Sequence, residues 1–196
     1  MFRAIPVTVA LAVLPAALAA QQHAPAAPSR AAPAEARQFD FLLGQWELTV
    51  KPKVTSLVAR LHGAPKLVGS WKAWRAFDGW GIEDELRIMD LSGNPMLLAA
   101  TMRAFDPAAR QWAQSGLDVY RNRFVAGEAR WAAGVMEATT RGTDAEGKPT
   151  LTRLRFSDIG PDAFKVRQDR SSDNGAKWEE GVLQIEARRV GPAASR

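Results

Sequence analysis

The chain has no cysteine in 196 residues and only two histidines, His23 and His62. Without cysteine there is no disulfide, no thiolate metal centre, no cysteine nucleophile and no lipid attached through a thiol. The two histidines lie in separate segments, so there is no imidazole pair at metal-binding spacing, and a histidine general base would have to be His62. Serine catalysis lacks its G-x-S-x-G elbow, and calcium lacks its D-x-D/N-x-D/N-G loop. No metal and no cofactor is therefore expected. A basic stripe is missing too: 26 lysines and arginines are interleaved with 21 acidic residues, so nucleic acid is not an expected partner.

What is present begins with an apolar N-terminus. Arg3 precedes an almost unbroken apolar run from Ala4 to Leu18, which exits through Ala17-Leu18-Ala19. This is the layout of a secretory signal peptide over residues 1–19, with cleavage after Ala19 or Ala20. The run falls short of the roughly 20 apolar residues that cross a bilayer, so no span is expected to remain after cleavage. A periplasmic or secreted location follows as the expectation, and a chain exported without disulfides must rely on a buried core. Residues 20–37 are rich in alanine, proline and polar side chains and read as a disordered linker. The folded domain is expected over 38–190, with 191–196 as a flexible tail.

Within the domain, turn signals recur at short intervals, among them Asp78-Gly79, Ser92-Gly93-Asn94-Pro95, Asp106-Pro107, Gly160-Pro161-Asp162 and Asp173-Asn174-Gly175. The stretches between them alternate. Ile82, Asp84, Leu86 and Ile88 share one face while Glu83, Glu85 and Arg87 share the other. Leu183, Ile185 and Ala187 alternate in the same way with Gln184, Glu186 and Arg188. The pattern predicts an all-β, up-and-down antiparallel barrel of about nine or ten strands, because a long meander that closes removes its exposed edges. One stretch departs from it: Val54, Leu57, Val58 and Leu61 form an apolar stripe at helical spacing, either a short lid helix over 54–61 or a loop packed on the outside.

The domain opens Phe39-Asp40-Phe41-Leu42-Leu43-Gly44-Gln45-Trp46. This resembles the F-D-F-x-x-G-x-W start of the bacterial lipocalin-like barrels of unknown function, relatives of the calycin superfamily. The likeness extends to W-R-x-F-x-G-x-x-I-x-D-E from Trp74 to Glu85 and to R-x-F-D-P…W from Arg103 to Trp112. The resemblance implies a barrel with an N-terminal plug, an interior able to hold a small ligand, and a basic residue of the last strand lying over the G-x-W indole. Gly44 would let the chain enter the barrel floor closely. Arg189 shares the face of Leu183, Ile185 and Ala187, which makes it the candidate to stack on Trp46 and close the barrel. Haem-binding relatives carry a G-x-W-x-G-x-G-x-G loop and an axial histidine; Glu47-Leu48 follows Trp46 here, so haem is not implied.

Alternation also points Asp84 inward, where an ionised carboxylate is costly without a partner. Arg103 is the nearest expected cation and Arg75 the other. The pair is either a satisfied internal salt bridge or a polar anchor for a ligand or a reaction. Glu83 and Glu85 belong to the solvated face. Seven tryptophans serve either as core or as an aromatic pocket, and Trp71, Trp112 and Trp131, which fall inside strands, are the cavity candidates.

Finally, Ser171 to Trp178 fits the S-x-D-x-G-x-x-W spacing of the Asp-box hairpin of sialidases and other β-propellers. A propeller repeats that device once per blade; one copy with no internal repeat reads as a tight turn before the last strand. The expected function is binding of a small hydrophobic or amphipathic molecule inside an exported barrel. Two alternatives stand beside it: an enzyme with Asp84 and Arg103 as its polar centre, and a filled barrel acting as a protein-interaction module.

Overall fold

Period-two alternation becomes ten antiparallel strands in the computed structural model, which describes residues 31–54, 65–144 and 146–192. The expected signal peptide, both histidines and residues 55–61 of the expected helix lie outside the described residues. The strands are β1 (Gly44–Pro52), β2 (Leu67–Ala76), β3 (Gly81–Asp90), β4 (Pro95–Asp106), β5 (Gln111–Asp118), β6 (Arg123–Ala132), β7 (Val135–Thr143), β8 (Pro149–Ser157), β9 (Ala163–Ser171) and β10 (Glu179–Gly191). Each pairs with the next, and β10 pairs with β1, so the sheet is a closed barrel. Closure leaves no strand with an unpaired edge.

Inward positions are those that alternation selects. On β1 the buried residues are Trp46, Leu48 and Val50, with Glu47 and Thr49 exposed between them. Register then carries this choice around the wall: Trp46 stands opposite Trp71 on β2 and opposite Arg189 on β10.

The end of the barrel where β1 begins is plugged by the chain that precedes it. Two short 3-10 turns, Ala34–Arg37 and Asp40–Leu42, bring Phe39 and Leu42 into the interior, where neither has any solvent exposure. Phe39 meets Trp112 edge-on at 4.9 Å and Phe156 at 6.0 Å, and Phe41 meets Phe156 at 5.6 Å and Phe164 at 5.7 Å. Full burial of Phe39 in this way contributes roughly 1.5–3 kcal/mol, and the half-buried Phe41 contributes less. The indole donors are satisfied: Trp46 Nε1 donates to the carbonyl of Leu42 at 2.7 Å, and Trp112 Nε1 to Gln38 Oε1 at 3.1 Å.

The folded unit starts earlier than composition alone indicates. Ala36, inside the stretch read as linker, is buried, and its carbonyl accepts a hydrogen bond from Arg75 Nη1 at 2.8 Å. Arg75 also forms an ion pair with Asp40. Alanine and proline look like linker because they carry no large apolar group, but a methyl group suffices to pack where an arginine ties down the backbone. The structured unit accordingly begins at Ala31.

Arg189 completes the plugged end. Its guanidinium lies 4.1 Å from the centre of the Trp46 ring, and it donates to the carbonyls of Leu43 at 2.7 Å and Pro161 at 2.6 Å. Gly44 has φ of +125°, and a Cβ there would collide with the Arg189 guanidinium and crowd the Gly191 carbonyl. Only glycine meets both demands.

The hairpin from Ser171 to Trp178 folds against the outer wall. Gly175 N–H donates to Ser171 Oγ at 2.9 Å, Ser171 O–H donates to Asp173 Oδ1 at 2.7 Å, and Lys177 N–H donates to the same carboxylate oxygen at 2.9 Å. Asn174 and Gly175 take positive φ, 57° and 89°. Trp178 then lies under Arg153, at 4.1 Å. The motif is a self-bonded turn that leads into β10.

Candidate functional site

Beyond the plug the interior is hollow. Among the described residues a cavity of about 540 Å³ occupies the half of the barrel away from Gly44 and is open at the end opposite the plug. Its walls differ. Leu67, Ile88, Leu97, Val125 and Leu183 make one side apolar, while Thr140, Thr150, Thr152 and Gln168 make the side formed by β7, β8 and β9 polar. Three arginines, Arg121, Arg123 and Arg170, and two aspartates, Asp118 and Asp144, stand around its mouth.

Between plug and cavity lies a buried polar layer on four neighbouring strands, β2 to β5. Asp84 is 2% exposed and Arg103 3%, and the two form an ion pair. Trp71 Nε1 donates to Asp84 Oδ1 at 2.8 Å, and Arg103 Nε donates to Gln114 Oε1 at 3.2 Å. The guanidinium also faces the Phe39 ring at 5.2 Å, which joins this layer to the plug. Burial pushes the Arg103 guanidinium down to about 9, which still leaves it charged at neutral pH, opposite Asp84. A pair so enclosed holds its geometry strongly, because removing one partner strands the other charge in a medium that cannot solvate it.

Sequence reasoning named Trp71, Asp84, Arg103, Trp112 and Trp131 as candidate ligand contacts. The structure brings the first three into one hydrogen-bonded cluster and puts Trp112 in the plug. Trp131 stands at the plugged end of β6, 39% exposed, with its ring 6.2 Å from Phe41. The cavity itself is lined by other residues. Large aromatics fill the volume they enter, so they mark the solid half of the barrel.

The signal for the cavity residues was the same alternation, read further along each strand. Phe164, Val166, Gln168 and Arg170 occupy successive inward positions of β9, and Arg123, Val125 and Ala129 lie in one register on β6. An arginine that ends an inward register, as Arg123 and Arg170 do, stands at the rim, and the sequence reading did not name either.

A second buried carboxylate lies on the outer wall beneath the Ser171–Trp178 hairpin. Asp169 has no solvent exposure; Arg153 donates to it at 2.8 Å, Arg167 sits at 3.0 Å, and Gly181 N–H donates at 2.9 Å. Burial pushes its carboxyl up, but the Gly181 N–H and the two guanidiniums more than offset this and hold it below the ordinary carboxylate value. Among the described residues no group of three histidine, cysteine, aspartate or glutamate side chains is placed to hold a metal ion.

The outer wall over β2 to β6 also carries an apolar groove of about 380 Å³. Trp74, Leu117, Met102 and Phe124 line it, the last two being 51% and 74% exposed.

Comparison with known proteins leaves the fold to speak for itself. No protein-family model matches the chain, and no curated protein matches it significantly. Among solved structures it is similar to a protein called EF1p2_mFAP2b bound to DFHBI, with TM-score 0.43 and 10% identity, covering 80% of this chain and 99% of that one. It is also similar to a de novo designed fluorescence-activating β-barrel, with TM-score 0.37 and 14% identity over 77% of this chain and 95% of the other. What the chain's own coordinates establish is a closed ten-stranded antiparallel barrel, solid at one end and hollow at the other.

Proposed function

We propose that this protein is an exported, lipocalin-like barrel that binds one small amphipathic molecule in the open half of its interior. The observation that carries the reading is the cavity: about 540 Å³ with one apolar and one hydroxyl- and amide-bearing wall. That volume is in the range of small-molecule sites, where an apolar lining supplies affinity and a few polar groups set orientation. Export rests on the N-terminal apolar run and its small-residue exit. The lipocalin-like assignment is supported by the Gly44-Gln45-Trp46 start and by Arg189 stacked on that indole.

The test is occupancy of the cavity. Native mass spectrometry of protein purified under non-denaturing conditions should show a co-purified small molecule. A dansylated amphiphile should bind in about one-to-one ratio and be displaced by it, and Thr152→Trp, which fills the cavity from β8, should abolish that binding with the fold intact. Binding unaffected by Thr152→Trp would sink the reading.

The Asp84–Arg103 pair is better supported as structure than as a reaction centre, since its charged atoms face each other, Trp71 and Gln114 and do not line the cavity. A second reading, an interaction surface, is favoured by the outer groove at Met102 and Phe124, because exposed apolar residues grouped in one concavity are characteristic of contact sites. Sedimentation of the wild type against Phe124→Ser over a range of concentrations would detect self-association through it.

A further inference from the structure

We propose that the molecule bound in the cavity carries a single carboxylate, and that Arg123 and Arg170 receive it at the mouth. The inference rests on the cavity being a ligand site and adds the chemistry of the ligand's head.

The charged residues around the mouth are not equivalent. Arg121 is committed to Asp118, donating from Nη1 to Oδ2 at 2.7 Å, while its backbone N–H reaches Oδ1 of the same residue at 3.2 Å. Asp144 spends Oδ1 on its own turn, accepting from the N–H groups of Glu146 at 3.0 Å and Lys148 at 2.8 Å. Arg123 has one long hydrogen bond, to the carbonyl of Thr143 at 3.4 Å. Among the described residues neither Arg123 nor Arg170 has a carboxylate within ion-pair distance. Outward-facing arginines of the same sheet behave differently: Arg87, Arg141, Arg155, Arg167 and Arg188 each reach an acidic side chain. Outward-facing Arg130 bonds Gln111 Oε1 instead, so among the described residues Arg123 and Arg170 are the strand arginines that meet neither an acidic nor an amide side chain, and both line the cavity.

Their placement follows from the strands. Arg170 continues the inward register of Phe164, Val166 and Gln168 on β9, and Arg123 continues that of Val125 on β6. Both line the same cavity as the apolar wall. A guanidinium that reaches a partly enclosed site presents a planar fork suited to a carboxylate, and a charge-assisted pair there is stronger than at an open surface. Among the described residues that line the cavity, three arginines against two aspartates leave one positive charge, which a monoanion neutralises. The apolar body would then lie against Leu67, Ile88, Leu97 and Leu183, with the head at the rim.

The experiment compares one probe in two charge states, 11-(dansylamino)undecanoic acid and its methyl ester, by fluorescence titration of the purified protein at low and at physiological salt. The wild type should bind the acid about tenfold or more tightly than the ester, with a preference that shrinks as salt rises. The double variant Arg123→Gln/Arg170→Gln should bind acid and ester within about twofold of each other, at the wild-type ester affinity. Arg123→Lys/Arg170→Lys should keep the preference in reduced form, and Arg188→Gln on the outer wall should leave it unchanged. Equal binding of acid and ester by the wild type would overturn the head-group assignment while leaving the cavity as a ligand site. A preference that survives the double glutamine variant would overturn the role of these arginines. No binding of either probe by a folded wild type would overturn both readings together.

Discussion

On β8 the inward positions run Phe156, Leu154, Thr152 and Thr150 from the plugged end to the mouth, and on β7 they run Met136, Ala138, Thr140 and Gly142. The backbone is the same antiparallel ladder throughout, but the side chain at the plugged end, Phe156 or Met136, is larger than the one at the mouth, Thr150 or Gly142. Where the side chain is large, and where Phe39 and Leu42 enter from the plug, the interior is close-packed; where it is small, a cavity is left. The comparison shows that the wall of this barrel is one structure and its contents are two. Close packing is concentrated in the solid half, and the volume proposed for a ligand lies in the hollow half.

That division can be broken experimentally. The largest effects are expected in the solid half and its polar boundary. Phe156→Ala should cost about 3–5 kcal/mol in chemical denaturation, because the vacated volume is enclosed on all sides. Asp84→Ala should cost a similar amount, about 3–5 kcal/mol, by stranding the buried Arg103 charge; a loss below about 1 kcal/mol would show that water reaches this layer. Arg189→Ala should cost about 0.5–2 kcal/mol and shift Trp46 fluorescence, since the guanidinium both stacks on the indole and holds the Leu43 carbonyl.

The two buried carboxylates sharpen the contrast between inner and outer wall. Asp169 has its folded-state pKa depressed, so its stabilising contribution is fully present above the ordinary aspartate value of about 3.9 and is lost as pH falls from there through the folded value. Asp169→Asn should therefore flatten the acid limb of stability against pH, measured by denaturation at pH 7 and near pH 3. An acid limb identical in the two proteins would contradict the assignment. The smallest effect is expected in the hollow half: Thr152→Ala, four residues along β8 from Phe156, should change stability by no more than about 0.5 kcal/mol, because its side chain borders open volume.

Several of these features were legible beforehand for identifiable reasons. Asp84 sits between Ile82 and Leu86 in a period-two run, so its inward direction followed from alternation, and Arg103 was the nearest cation on the next strand. Gly44, Trp46 and Arg189 were named together, and the structure places them in mutual contact. Asp169 was not singled out, because its burial comes from a hairpin folding back over the outer wall, and alternation alone assigns that face to solvent. Trp131 lies in an inward register but too near the strand end to be enclosed.

The sequence by itself determined an antiparallel meander of about nine or ten strands and the face most strand residues occupy, because those depend on local period and turn chemistry. Which half of the barrel is solid was decided only by the tertiary structure. That outcome depends on how the volumes of ten strands and one plug add up at each level of the interior, a sum over residues far apart in the chain. That Arg123 and Arg170 have no carboxylate partner among the described residues was decided at the same level, for whether a charge finds a partner depends on what the closed barrel brings within reach.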